Sequence, residues 1–157
     1  MSFSPSRSKH ILLVEPDETV RAGLVNAVGS LGIVEGYAAF DSARSRLSGF
    51  AYDLLVTNVR LNEYNGLHLV YLVKDIDVAT NAIVYSDEED LPLALDAQRA
   101  GAFFELTRRM LIVLPVYVES ELPHRDRRDP ARFDRRRTAR GGRRAWDWHV
   151  LQAAGAH

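Results

Sequence analysis

The sequence contains no cysteine, so disulfides and thiolate metal sites are excluded. Histidine is sparse: His10, His68, His124, His149 and His157 are scattered, and no two sit at metal-ligand spacing on one element. A zinc site is therefore not expected. Long apolar runs are missing as well. The longest, Met110 to Val118, is nine residues interrupted by Pro115, too short for a bilayer that needs about 20. The segment Met1 to Lys9 is polar and lacks the apolar stretch of a secretory signal. The expectation is a cytoplasmic protein with no membrane segment. What is present is ample core material: 46% of the 157 residues are hydrophobic, enough for one domain with a short extension.

A net charge of -1 hides an asymmetry. Residues 1–114 carry ten basic and fifteen acidic side chains, a net of −5, while residues 115–157 carry ten arginines and six acids, a net of +4. An acidic body thus carries a basic tail. We divide the chain at this point into residues 9–114 and an Arg-rich extension, 115–157.

The body alternates short apolar runs with amphipathic stretches. HILLV (10–14) has strand length, and Asp17 after it can cap a helix. Val20, Leu24, Val28 and Leu31 recur at helical spacing, with Gly32 placed as a C-cap. A weaker strand covers 33–37, a short helix starts at Asp41 and ends near Gly49, and DLLVT (53–57) is a second buried strand. A helix over 67–74, a strand NAIVY (81–85), a helix opened by Pro92 and stopped by Gly101, and a strand AFFEL (102–106) follow. Strands apolar on both faces, separated by helices, predict a doubly wound five-stranded parallel sheet. In such folds ligands bind beyond the carboxyl ends of the strands. Those ends hold Glu15-Pro16-Asp17, Asn58, Ser86 and Arg108.

Four segments in this order, ILLVEPD (11–17), DLLVTNVRLNEYNG (53–66), IVYSD (83–87) and GAFFELTR (101–108), resemble the receiver domain of two-component response regulators. The resemblance covers roughly residues 10 to 110. It implies a flavodoxin-like α/β fold with strand order 2-1-3-4-5. It also implies two acidic residues after strand 1, the second binding magnesium; a phospho-accepting aspartate ending strand 3; a hydroxyl after strand 4; and a lysine after strand 5. Here the acidic pair is Glu15 and Pro16, with Asp17 one residue off register. The acceptor position is Asn58, the hydroxyl is Ser86, and the lysine position is Arg108. The aromatic position on strand 5 holds Glu105.

These departures bear on chemistry. Phosphoryl transfer to the protein needs a carboxylate nucleophile and a cation on the phosphate oxygens. The Asn58 amide is uncharged, and Pro16 offers no side-chain ligand to a magnesium ion that favours anionic oxygens. We expect a degraded magnesium site, no cofactor, and a degenerate receiver that is not phosphorylated. The amide of Asn58 is expected to donate to Glu15, and Arg108 to pair with Glu15 or Asp17. Asp17 is read first as a helix cap and Asp53 as the start of a strand. A neighbouring acceptor, Asp17 or Ser86, is the competing route to phosphorylation. No complete set of groups for independent catalysis is visible, so an enzyme is not expected.

After Arg109 the run MLIVLPVYV is apolar at every position and rich in β-branched residues, which favours an extended segment. A short helix from Pro115 to about Leu122 is the alternative. So apolar a stretch is not expected to face water in a monomer; the resemblance implies dimerisation through the face of helix 4, strand 5 and helix 5, so a homodimer through residues 95–118 is expected, with exchange of C-terminal segments as one way to build it. Residues 124–144 hold ten arginines and three acids. Low apolar content predicts no stable structure in isolation. Two other readings stay open: a footprint for nucleic acid, with Trp146 and Trp148 available for stacking, or docking against the acidic 87–90 run. The function expected is a protein-interaction module in phosphorelay signalling that binds a histidine kinase or another regulator. A nucleic-acid-binding regulator is the alternative.

Overall fold

The apolar run after Lys9 becomes the central region of a sheet. The computed structural model describes residues 8–120. In it, β1 (Lys9–Val14) lies between β2 (Gly32–Tyr37) and β3 (Leu54–Asn58). Beyond β3 come a two-stranded hairpin, β4 (Arg60–Leu61) with β5 (Tyr64–Asn65), and then β6 (Asn81–Ser86) and β7 (Phe103–Leu106). The sheet is parallel throughout, in the order β2-β1-β3-β6-β7. With the hairpin set aside, this is the expected 2-1-3-4-5 arrangement.

Successive strand residues point to opposite faces, and both faces are covered. Ile11, Leu13, Leu54, Val56 and Ile83 pack with Leu24 and Val28 of α1 (Glu18–Val28) and with Met110, Leu114 and Val118 of α5 (Thr107–Glu119). Leu12, Val14, Leu55, Ala82 and Val84 face α2 (Phe40–Gly49), α3 (Leu67–Ile76) and Ala97 of α4 (Leu91–Arg99). Asp17 caps α1 by accepting from the Val20 N–H at 3.0 Å, and Asp90 caps α4 through the Leu93 N–H at 3.0 Å. Asp53 does more than begin a strand: its Oδ2 accepts the His10 N–H at 2.8 Å and clips β1 to the entry of β3.

Two sequence expectations need correction. Residues 110–118 are neither extended nor a helix starting at Pro115; they belong to one helix that begins at Thr107 and continues past residue 114 to Glu119. The deciding period is Met110, Leu114 and Val118, spaced four apart and buried. It is masked in the sequence because the residues between are apolar too. Pro115 sits inside the helix and leaves the Leu111 carbonyl without its intrahelical donor. The lost bond is offset by the inward stripe, and at the far end Lys9 donates its ammonium to the carbonyls of Val118 and Ser120. Second, Gly32 is not the C-cap of α1, which ends at Val28 with Gly29 as its cap residue. Gly32 opens β2, where a Cβ would lie 2.6 Å from the Lys9 carbonyl oxygen, so close strand pairing explains the glycine. The Arg-rich run 124–144, Trp146 and Trp148 lie outside the described residues, and so do the readings placed on them.

Candidate functional site

The carboxyl ends of β1, β3 and β6 converge on one buried carboxylate. Glu15 follows β1 and is 3% exposed. Its backbone N–H donates to the Tyr37 carbonyl at 2.9 Å, which fixes the chain as it leaves the sheet. Arg21, one turn into α1, reaches back with Nη1 to the Glu15 carbonyl at 2.8 Å and holds the β1–α1 loop closed.

The Glu15 carboxylate has three donors. Oε1 accepts the Asp17 N–H at 3.0 Å, and Oε2 accepts Asn58 Nδ2 at 2.9 Å. Oε2 also accepts the hydroxyl of Tyr85. Asn58 ends β3 beside Tyr85 in the β6 register. Its other amide atom, Oδ1, accepts the Arg60 N–H at 2.9 Å. A carboxylate only accepts, so the amide must turn its nitrogen to Glu15. Both ends of the Asn58 amide are therefore engaged, one by the buried acid and one by the start of the hairpin.

The sequence pattern does not single out Tyr85. It closes the run NAIVY and counts there as one more apolar strand residue. The available signal was physical: a tyrosine buried at a strand end must find a partner for its hydroxyl. It is fully buried, and that burial, followed by the hydrogen bond to Glu15, pushes its phenol well above the usual tyrosine range. The phenol therefore stays protonated and keeps donating. We expect Tyr85→Phe to lower stability by about 1–3 kcal/mol in denaturant unfolding, because a buried carboxylate loses a donor without a replacement. The far-UV circular dichroism should not change.

The other predicted positions fall as follows. Pro16 contributes only backbone: its carbonyl lies 3.5 Å from Arg21 Nη1. Asp17 uses its carboxylate as the α1 cap. Ser86 ends β6 and is buried, 7% exposed. Arg108 does not join Glu15 or Asp17. It leans across the surface to Glu89 at 3.6 Å, with its side chain 55% exposed. The physical reason is access. Glu15 is buried and already satisfied, whereas the acidic loop before α4 stands in water beside the start of α5. Such an exposed pair is worth at most about 1 kcal/mol. Glu105, at the position expected to be aromatic, is buried to 9% exposure and pairs with Arg109 at 3.2 Å. Among the described residues no group of three or more His, Cys, Asp or Glu side chains is placed to hold a metal ion. No helix there is long and apolar enough to cross a membrane.

Residues 11–110 match the model of the response regulator receiver domain. The chain belongs to that family. This receiver is 27% identical over 96 residues to the transcriptional regulatory protein FixJ of Bradyrhizobium diazoefficiens, a match covering 59% of this chain and 46% of FixJ. The chain thus spans about half the length of that curated relative. Its fold is similar to the response regulator DrrB of Thermotoga maritima, with a TM-score of 0.65 and 20% identity over 71% of this chain and 51% of DrrB. It is also similar to a CheY-like receiver domain protein of Methanospirillum hungatei JF-1, with a TM-score of 0.63 and 16% identity over 71% of this chain and 94% of that one.

Proposed function

We propose that this receiver domain serves two-component signalling by protein–protein contact and does not accept phosphate. One observation carries the reading: Glu15, the acid that remains after β1, spends both oxygens on protein donors, one of them the Asn58 amide. An amide oxygen is a poor nucleophile and here already accepts from Arg60. The donor set does not fit a magnesium ion either. Such an ion favours several anionic oxygens in octahedral array. This pocket offers one carboxylate that already accepts three protein donors, a proline and a neutral amide. The pocket is read as a fixed polar network, and the domain as a non-enzymatic cytoplasmic partner of a histidine kinase or another regulator, acting as a homodimer.

Incubation with acetyl phosphate and magnesium, followed by intact-mass measurement at neutral pH, is expected to leave the mass of the chain unchanged. A hydroxylamine-labile phosphoryl adduct anywhere on the chain overturns the reading.

A further inference from the structure

The strands begin at the end of the molecule opposite Glu15, and a groove opens there between the C-terminal ends of α2 and α3. It encloses about 220 Å³, and its lining includes Leu47, Phe50, Tyr52, Val73, Ile76 and Asp77. Two of these apolar side chains are left to water: Phe50 is 56% exposed and Ile76 52%. Small-molecule sites usually run from about 300 to 1,000 Å³, so this groove suits a side chain better than a cofactor. Its rim is electronegative. Both helices end there, with last-turn carbonyls that lack intrahelical donors. Asp75 and Asp77 stand on the α3 side. The guanidinium of Arg46 lies 3.7 Å over the Phe50 ring, but its charge is already met by Glu35 at 2.6 Å.

We propose that residues 146–151 of the same chain dock in this groove, with an indole between Phe50 and Ile76. The chain leaves the described residues at the same end of the sheet. Lys9, at the start of β1, donates to the Ser120 carbonyl at 3.1 Å, and the next N–H, of His10, donates to Asp53 at 2.8 Å. Tyr52 precedes Asp53, and its carbonyl accepts Thr80 Oγ1 at 2.7 Å in the groove wall. An unbroken line of contacts thus runs from Ser120 to the groove. The groove lies across the sheet from α5, a path of about 20 Å over two layers of about 10 Å each. Residues 121–145 supply a tether of 25 residues. Such a tether spans about 25–30 Å on average when flexible and about 80 Å when drawn out. Beyond it comes WDWHVL, which holds both tryptophans of the chain. Trp146, Trp148 and Val150 alternate with Asp147 and His149, so an extended segment presents one large apolar face. Arg143 and Arg144 precede it, opposite in sign to Asp75 and Asp77. The exposed apolar residues of α5 follow Arg108 and Arg109, which repel those arginines. Tethering holds the segment at an effective concentration of about millimolar, so modest affinity is enough.

The docking lies at the far end of the sheet from Glu15 and stands or falls separately from the phosphorylation reading. Residues 8–120 contain no tryptophan, so indole emission reports on positions 146 and 148 alone. The full 157-residue chain at low micromolar concentration is expected to emit at shorter wavelength than a synthetic peptide of residues 140–157, with weaker quenching by acrylamide. Phe50→Asp and Ile76→Lys are each expected to abolish that blue shift. Both positions are half exposed, and far-UV circular dichroism checks the fold; if one variant unfolds, the other decides. Ile112→Asp, on the exposed face of α5, is expected to leave the emission unchanged. A parent chain that emits like the peptide overturns the docking. So does a blue shift that survives the groove variants, is lost in Ile112→Asp, or fades on dilution as an exchange between copies requires.

Discussion

The double variant Pro16→Asp/Asn58→Asp is expected to gain magnesium-dependent phosphorylation by acetyl phosphate, and the parent chain is expected to show none. The single change Asn58→Asp does two unfavourable things. It removes the Nδ2 donor from Glu15 and sets a second carboxylate about where the amide nitrogen lies, 2.9 Å from the first, in a partly buried site. Lost hydrogen bonding and like-charge repulsion together cost about 2–4 kcal/mol of stability at neutral pH. Magnesium is not expected to recover this, because Pro16 still contributes no side-chain oxygen. Adding a carboxylate at position 16 changes the balance. Three acids at the ends of β1 and β3 form the kind of anionic oxygen set that magnesium takes, and the Ser86 hydroxyl stands at the end of the next strand. At a magnesium concentration 100 times its dissociation constant, binding adds about 2.7 kcal/mol. The double variant is therefore expected to melt well above its metal-free self, and the parent to melt at the same temperature with or without the ion. A parent whose melting temperature rises with millimolar magnesium contradicts the account of the pocket as a closed network.

The reason that pocket was partly legible in the sequence is that strand ends are legible. Buried parallel strands are apolar on both faces, so ILLV, LLVT and AIVY stand out, and the residue following each run is placed at the crevice by the fold alone. Glu15 and Asn58 were brought to one another by that logic, and their 2.9 Å contact needs only the pairing of β1 with β3. Side chains that travel are harder. Arg108 lies in the first turn of α5 on a long side chain and pairs with Glu89, while Glu15 is buried among its own donors and Asp17 caps α1. Tyr85 was hidden for the opposite reason. Its ring satisfies the apolar pattern so fully that the hydroxyl, the part that matters to Glu15, leaves no trace in a hydrophobicity count. Helix α5 was lost to both effects: an apolar outer face concealed the four-residue period, and Pro115 argued against a helix that tertiary packing nevertheless holds together.

Gly66→Ala is expected to lower stability by roughly 3 kcal/mol or more, although the backbone dihedrals there suit alanine. Gly66 precedes α3 with φ −58° and ψ −22°, a conformation alanine adopts freely. The obstacle is space. A Cβ at this position would lie 2.2 Å from the Asn58 carbonyl oxygen and 2.8 Å from Thr57 Oγ1. The nearer atom is backbone of a central strand, so it cannot swing aside as a flexible side chain would, and forcing atoms into a packed site costs about 1–3 kcal/mol or more. The clash also falls on the residue whose amide holds Glu15. The Gly66 N–H donates to the Val59 carbonyl at 2.7 Å, and this bond folds the hairpin back over the strand end. Any shift that relieves the alanine pulls on Asn58 from both sides. Gly49→Ala is the control: it ends α2 with no heavy atom within 4 Å of the added carbon, so propensity should prevail there and stability hold or rise by up to about 1 kcal/mol. Denaturant midpoints of the two variants decide the matter. If Gly66→Ala is as benign as Gly49→Ala, the close approach of α3 to the end of β3 is not what positions the amide, and the rigidity assigned to the pocket has to come from Glu15 and Tyr85 alone.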